Sequence, residues 1–175
     1  FKGAFAYYLH DKRQEGEARR DTAERVGWTE TRNLATDNPE TAKRIMIATA
    51  QQAEALKLAA GVTGGRKSNA HVYAYSLAWH PDEAGRIDRA EMMKAVEGSL
   101  KALVDKEGRT AEGLQAVIVA HVDEPQPHVH VILNRVMADG RMFNPSNDFD
   151  KLDSWALDYR RERGEHLKYC PKRAE

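Results

Sequence analysis

Residues 115–135 read QAVIVAHVDEPQPHVHVILNR, two apolar runs, Gln115 to Ala120 and Val129 to Leu133, around a short polar loop holding two prolines and two acids. That pattern predicts a β-hairpin. Side chains on a strand point alternately to opposite faces, so His128, His130, Ile132 and Asn134 share one face while Val129, Val131 and Leu133 take the other. His121 closes the first run. With the strands paired antiparallel across Val122 to Pro127, His121 comes close to His128 and His130, and three imidazoles converge at one end of a sheet. Such a group holds a divalent cation and leaves coordination positions open for substrate or water.

The other described motifs are weaker. A lone histidine in a strand or loop is ordinarily a satisfied surface or core residue, and His10, His71, His80 and His166 fit that description. Three within ten residues, two of them alternating, point to a metal site. A cupin-like barrel also carries a His-x-His strand but supplies a glutamate a few residues later, where this chain has Asn134. Three neutral imidazoles favour manganese, cobalt, nickel or zinc over magnesium, which prefers oxygen ligands.

At 175 residues the chain is expected to be one domain, 1–175, long enough to bury a substantial core. Charged residues make up 31% and hydrophobic ones 41%, the profile of a soluble globular protein. No apolar run approaches membrane-spanning length, and no signal peptide is visible. The single Cys170 excludes an internal disulfide and suits a reducing, cytoplasmic setting. With 27 basic and 27 acidic residues the formal charge is zero, which argues against a chain that binds nucleic acid by bulk charge. Basic residues nevertheless cluster locally: Lys12, Arg13, Arg19 and Arg20; Arg66 and Lys67; and Arg160, Arg161, Arg163, Lys168, Lys172 and Arg173.

Taken in order, Phe1, Phe5, Tyr8 and Leu9 recur at helical spacing, and Tyr7 and Tyr8 lie on that first helix. Arg25 to Arg32 alternates as a strand. DNPE at 37–40 opens a helix with a cap, a proline in the first turn and an acid at the positive end of the dipole; it is expected to run to about Ala60 and stop at Gly61. Gly64, Gly65, Arg66, Lys67 and Ser68 form a flexible basic loop whose amides, hydroxyl and cations suit phosphate contacts. Val72 to Trp79 is a strand. Asp88 with Glu91 opens a helix burying Met92, Val96, Leu100 and Leu103 and ending at Gly108. After the hairpin, Asp139-Gly140 turns the chain back through Met142 and Phe143, and a last helix from about Asn147 buries Phe149, Leu152, Trp155 and Tyr159 before Gly164. Helix, strand, helix, strand, helix, strand, strand, helix predicts an α+β sandwich, a central and mostly antiparallel sheet flanked by helices, with one sheet surface left for the histidines.

The run from His121 to Asn134 resembles the pattern HxDxxxxHxHxxxN of plasmid mobilisation relaxases of the MobA, TraI and VirD type, within the HUH endonuclease superfamily, whose sandwich is ferredoxin-like or RRM-like. Tyr8-Leu9 resembles that family's nucleophile motif, and Ser68 its second motif. The resemblance spans nearly the whole chain. It implies that His121, His128 and His130 hold the metal, that Tyr8 attacks DNA and that Asp123 supports the site, by orienting His121 or taking a proton. Arg66, Lys67 and Ser68 are expected to contact the nucleic acid through the chemistry of their loop, and Asn134 from its place on the histidine face. Asn134 serves equally well as a partner for a backbone group. Tyr7 is the rival nucleophile, pointing about 100° away from Tyr8 on the helix. The resemblance also implies a short strand ahead of the tyrosine helix, before Phe1.

The implied activity is metal-dependent, site- and strand-specific nicking of a plasmid transfer origin, with magnesium or manganese in use. Attack by Tyr8 leaves a 5′-phosphotyrosine and a free 3′-hydroxyl. The implied partners are single-stranded plasmid DNA, an accessory DNA-binding protein and a coupling protein in a bacterial cytoplasm, with passage alongside the transferred DNA. Three other readings stand beside it: a rolling-circle replication initiator with the same chemistry, a His-metal hydrolase or cupin-like enzyme acting on a small molecule, and a DNA-binding module with a structural metal.

Overall fold

The computed structural model describes residues 1–11, 23–65 and 67–164. At its centre the predicted hairpin pairs β3 (Ala116–His121) with β4 (His128–Asn134), antiparallel, in a register that sets Ala116 opposite Leu133 and His121 opposite His128. The edges are β1 (Val26–Arg32), which pairs with β3, and β2 (Val72–Ala78), which pairs with β4. The strand order is β1-β3-β4-β2, with every neighbour antiparallel. The fold is α+β, as expected.

Both faces of the central pair are covered, which explains why AVIVA on β3 is continuously apolar rather than alternating. On one face Val117, Val119 and Ile132 pack with Phe5 and Leu9 of α1 (Lys2–Leu9) and with Ala42 and Met46 of α2 (Pro39–Gln51). On the other, Ile118, Ala120, Val129, Val131 and Leu133 meet Met92, Val96 and Leu100 of α4 (Arg89–Ala102). Leu152, Trp155 and Tyr159 of α5 (Asp148–Glu162) pack against that second cluster. The histidines therefore share their face with α1 and α2 rather than having it to themselves.

Helix α1 has eight residues and no side-chain cap, too few turns to persist alone. Its place is set by packing: Phe5 is fully buried and Leu9 nearly so, each contributing about 1.5–3 kcal/mol. Helix α2 begins as its sequence dictates, with Asn38 Oδ1 accepting from Thr41 N at 2.9 Å and Pro39 in the first turn.

Three boundaries differ from expectation. The helix expected to reach Ala60 breaks at Gln52, whose backbone leaves the helical region (φ −95°, ψ 10°), and resumes as α3 (Ala53–Ala59). The break coincides with the docking of the 139–140 turn: a Cβ on Gly140, which has φ +80°, would overlap the Ala53 carbonyl. Helix α4 ends at Ala102 rather than Gly108, because Leu103 turns into the core and Val104 bridges to Thr110. Phe149 is 62% exposed. The apolar stripe of α5 starts later, at Leu152, and is half-buried rather than buried; Trp155 sits in a notch on α4 where a Cβ on Gly98 would stand 2.6 Å from its Nε1.

Asn134, a candidate DNA contact, is fully buried. Its Nδ2 donates to Met46 O at 3.2 Å and to Gln115 Oε1 at 2.9 Å, and its Oδ1 accepts from Val136 N at 3.0 Å. It stitches β4 to α2 and lies out of reach of any nucleic acid. Asn134→Ala is expected to destabilise the domain by about 2–3 kcal/mol, since it strands buried polar partners. Urea unfolding measures that loss, and DNA affinity of the folded fraction should stay at the parental value.

Candidate metal centre

The β3–β4 register places His121 and His128 side by side at the loop end of the hairpin, with His130 two residues along β4 on the same face. Ring centroids are 4.4 Å apart for His121 and His130, and 5.2 Å for His128 with either of the others. One ring nitrogen from each lies within 4.8 Å of the others.

Hydrogen-bond chemistry identifies which nitrogens face the centre. His121 Nε2 is 2.7 Å from the carbonyl of Tyr8, and His128 Nδ1 is 3.0 Å from the carbonyl of Gln126. A carbonyl only accepts, so those nitrogens carry the protons, and His121 Nδ1 and His128 Nε2 present lone pairs. His130 Nε2 stands 3.0 Å from His121 Nδ1, while its Nδ1 meets Ser76 Oγ at 2.6 Å. Nitrogens held about 2.1 Å from one ion and at right angles to each other stand about 3 Å apart, so this pair matches neighbouring positions around one cation. The donor set fits a divalent metal.

Electrostatics disfavours the charged form of His121 and His130. Burial drives the His130 pKa down to about 3, aided by the neighbouring His121, His128 and Arg25. Burial likewise lowers His121, against the opposing hydrogen bond to Tyr8. A neutral imidazole is the ligating form.

Tyr8 lies directly beside this group, its ring centroid 4.4 Å from that of His130 and tilted by 32°. Tyr7 points elsewhere: it is 60% exposed, with the Arg25 guanidinium 5.5 Å over its ring. Only Tyr8 faces the histidines, as the helical angle between the two requires. Burial raises the Tyr8 pKa, and Tyr7 adds to the effect. The last turn of α1 is tied down twice, since Arg25 Nη2 donates to the Tyr7 carbonyl and His121 to the Tyr8 carbonyl. These are among the carbonyls that a helix C-terminus leaves without internal partners.

The remaining expected residues are placed differently. Asp123 sits exposed on the hairpin loop and reaches His121 through charge, favouring its protonated form; His121 Nε2 itself meets the Tyr8 carbonyl. Arg66 lies outside the described residues. Lys67 is exposed, and Ser68 Oγ accepts from Ala70 N at 3.2 Å within its own loop. That loop precedes Val72, at the end of β2 paired with Asn134, whereas His130 lies opposite Ser76 and His128 opposite Ala78. Four to six strand residues, roughly 13–20 Å, separate the two. Ser76 and Arg25 were missed in the sequence, although Ser76 is the one hydroxyl in VYAYSLAW that falls on the histidine face.

A family model for the MobA/VirD2-like nuclease domain of relaxases matches residues 8–164. The chain belongs to that family. No curated protein and no solved structure matches it. The match runs from Tyr8 to Gly164 and includes the three histidines. The chain is therefore a relaxase nuclease domain, a class that nicks DNA and binds it single-stranded. No helix among the described residues is long and apolar enough to cross a membrane.

A pH prediction follows from His130. Unfolded, its ring takes up a proton as pH falls through about 6.5, whereas folded it does so only near 3. The unfolded state binds more protons between those values, so stability is lost as pH falls across them. The thermal midpoint of metal-free protein should drop between about pH 7 and about pH 4, and His130→Asn should flatten that slope. A slope identical in the variant would remove His130 as its source.

Proposed function

We propose that the domain nicks one strand of plasmid DNA at a transfer origin by tyrosine transesterification, with Tyr8 as nucleophile. The observation that carries this reading is the packing of Tyr8 against His130 at 4.4 Å, beside three converging ring nitrogens. Tyr8 Oη attacks the scissile phosphorus, a P–O bond to Tyr8 forms, and the bond from phosphorus to the 3′ oxygen breaks. The phenolic proton is released and the departing oxygen takes one up, leaving a free 3′-hydroxyl and a 5′-phosphate on Tyr8. The covalent link preserves the phosphodiester energy, so rejoining needs no ATP.

His121 Nδ1, His128 Nε2 and His130 Nε2 would hold a divalent cation, which would supply Lewis acidity toward a phosphate oxygen. Imidazole donors favour manganese over magnesium, which prefers oxygen ligands. Tyr8 starts as a protonated phenol, because burial disfavours its charged form. The protein's own positive charge at this end of the sheet is Arg25, 4% exposed, which acts on His121 and His130. Asp123 tempers the local field from the loop. Lys67, Ser68 and Arg66 are assigned to DNA away from the scissile phosphate, as backbone contacts. The partners in this reading are origin DNA, an accessory DNA-binding protein and a coupling protein in a bacterial cytoplasm.

The test is a denaturing gel with fluorescent single-stranded transfer-origin oligonucleotides, with manganese or with EDTA. A covalent, metal-dependent band is expected from the parent chain and from Tyr7→Phe, and none from Tyr8→Phe. A band from Tyr8→Phe would move the nucleophile elsewhere, and a band undiminished by EDTA would remove the metal from the reaction.

A further inference from the structure

Two of the three histidines are locked by partners that can only accept. The carbonyls of Tyr8 and Gln126 hold His121 and His128 permanently in the tautomers that turn lone pairs toward the centre. His130 is different, because its outer nitrogen, Nδ1, faces a hydroxyl that can either donate or accept.

Proton positions along this row follow from one end. The Tyr8 carbonyl requires the proton on His121 Nε2, so His121 Nδ1 accepts and His130 Nε2 donates to it. His130 Nδ1 is then the acceptor, and the Ser76 hydroxyl donates to it at 2.6 Å. A cation between His121 and His130 needs the opposite arrangement on His130: Nε2 bare and Nδ1 protonated. One proton leaves Nε2 and one arrives at Nδ1, with no net change. A fixed donor at position 76 would oppose that exchange, whereas a hydroxyl rotates about its Cβ–Oγ bond and becomes the acceptor. Ser76 stands opposite His130 in the β2–β4 register, and its same-face neighbours Ala74 and Ala78 offer no alternative polar group.

We propose that Ser76 is the positioning residue for His130, its hydroxyl reversing from donor to acceptor as the ring takes the ligating tautomer. This inference rests on the metal-centre reading above and extends it to a residue outside the ligand set. Removing such an outer partner ordinarily lowers metal affinity by roughly 10–100-fold. Because Ser76 is exposed on an edge strand, little packing depends on it.

The experiment titrates the full chain with Mn2+, following free ion by electron paramagnetic resonance, in the parent, Ser76→Ala and Ser76→Thr. Ser76→Ala should weaken binding by roughly 10–100-fold, with Ser76→Thr restoring it and the metal-free thermal midpoints coinciding. Nitrogen-15 NMR of His130 gives the second readout: the metal-free parent should carry the proton on Nε2, and the Zn2+ form should carry it on Nδ1. Equal Mn2+ affinity in Ser76→Ala, or Ser76→Thr as weak as Ser76→Ala, overturns the role of Ser76 while leaving the metal centre standing. A parent chain that binds no Mn2+ overturns both.

Discussion

Register in the β3–β4 hairpin is the constraint on which the site and the core jointly depend. A slip of one residue would send His128 and His130 to the α4 and α5 face and bring Val129, Val131 and Leu133 beneath α1 and α2. Three imidazoles would lose their common end, and buried apolar contacts would be lost on both faces. Burial of the whole of β3 and nearly all of β4 opposes that slip from both sides, while β1 and β2 fix the flanks. The same hydrophobic pattern that builds the core thus aims the histidines.

Against this rigid pair stands α1, which brings Tyr8 and has little stability of its own. Phe5 and Leu9 anchor its apolar side, and the proton donors Arg25 and His121 occupy its terminal carbonyls. A helix C-terminus carries partial negative charge, so this end of α1 is a favourable neighbour for cationic groups. The buried Arg25 and the candidate cation site both lie there. The tyrosine helix is consequently held by residues of the candidate site itself.

The strands, the hairpin and the histidine cluster were legible in the sequence because alternation in β1 and β4, the short apolar run of β3 ahead of a proline-containing loop, and the His-x-His spacing are local signals. Tyr8 was preferred to Tyr7 through the likeness of Tyr8-Leu9 to the family motif, with the two expected to point about 100° apart; α1 docking on Val117, Val119 and Ile132 sets Tyr8 beside His130. What stayed hidden depended on contacts between distant segments. The break at Gln52 coincides with a turn 87 positions later docking on α3, and the burial of Asn134 reflects α2 and Gln115 closing over it. Ser76 acquires its meaning solely from standing opposite His130. Asp123 was expected to support the site by orienting His121 or taking a proton; that a carbonyl of a remote helix meets the His121 ring could not be foreseen, because no side-chain motif encodes a carbonyl.

That double fastening of α1 has a mechanical side. A DNA strand joined to Tyr8 would pull on the side chain of an eight-residue helix, and the load would pass along its backbone to the sheet. The carbonyl of Tyr8, the residue of attachment itself, is hydrogen-bonded to His121 on central strand β3. Tension would reach the strongest part of the fold before it could unwind the turns toward Phe1. The anchor that aligns the tyrosine for attack would also serve as the strain relief for its cargo.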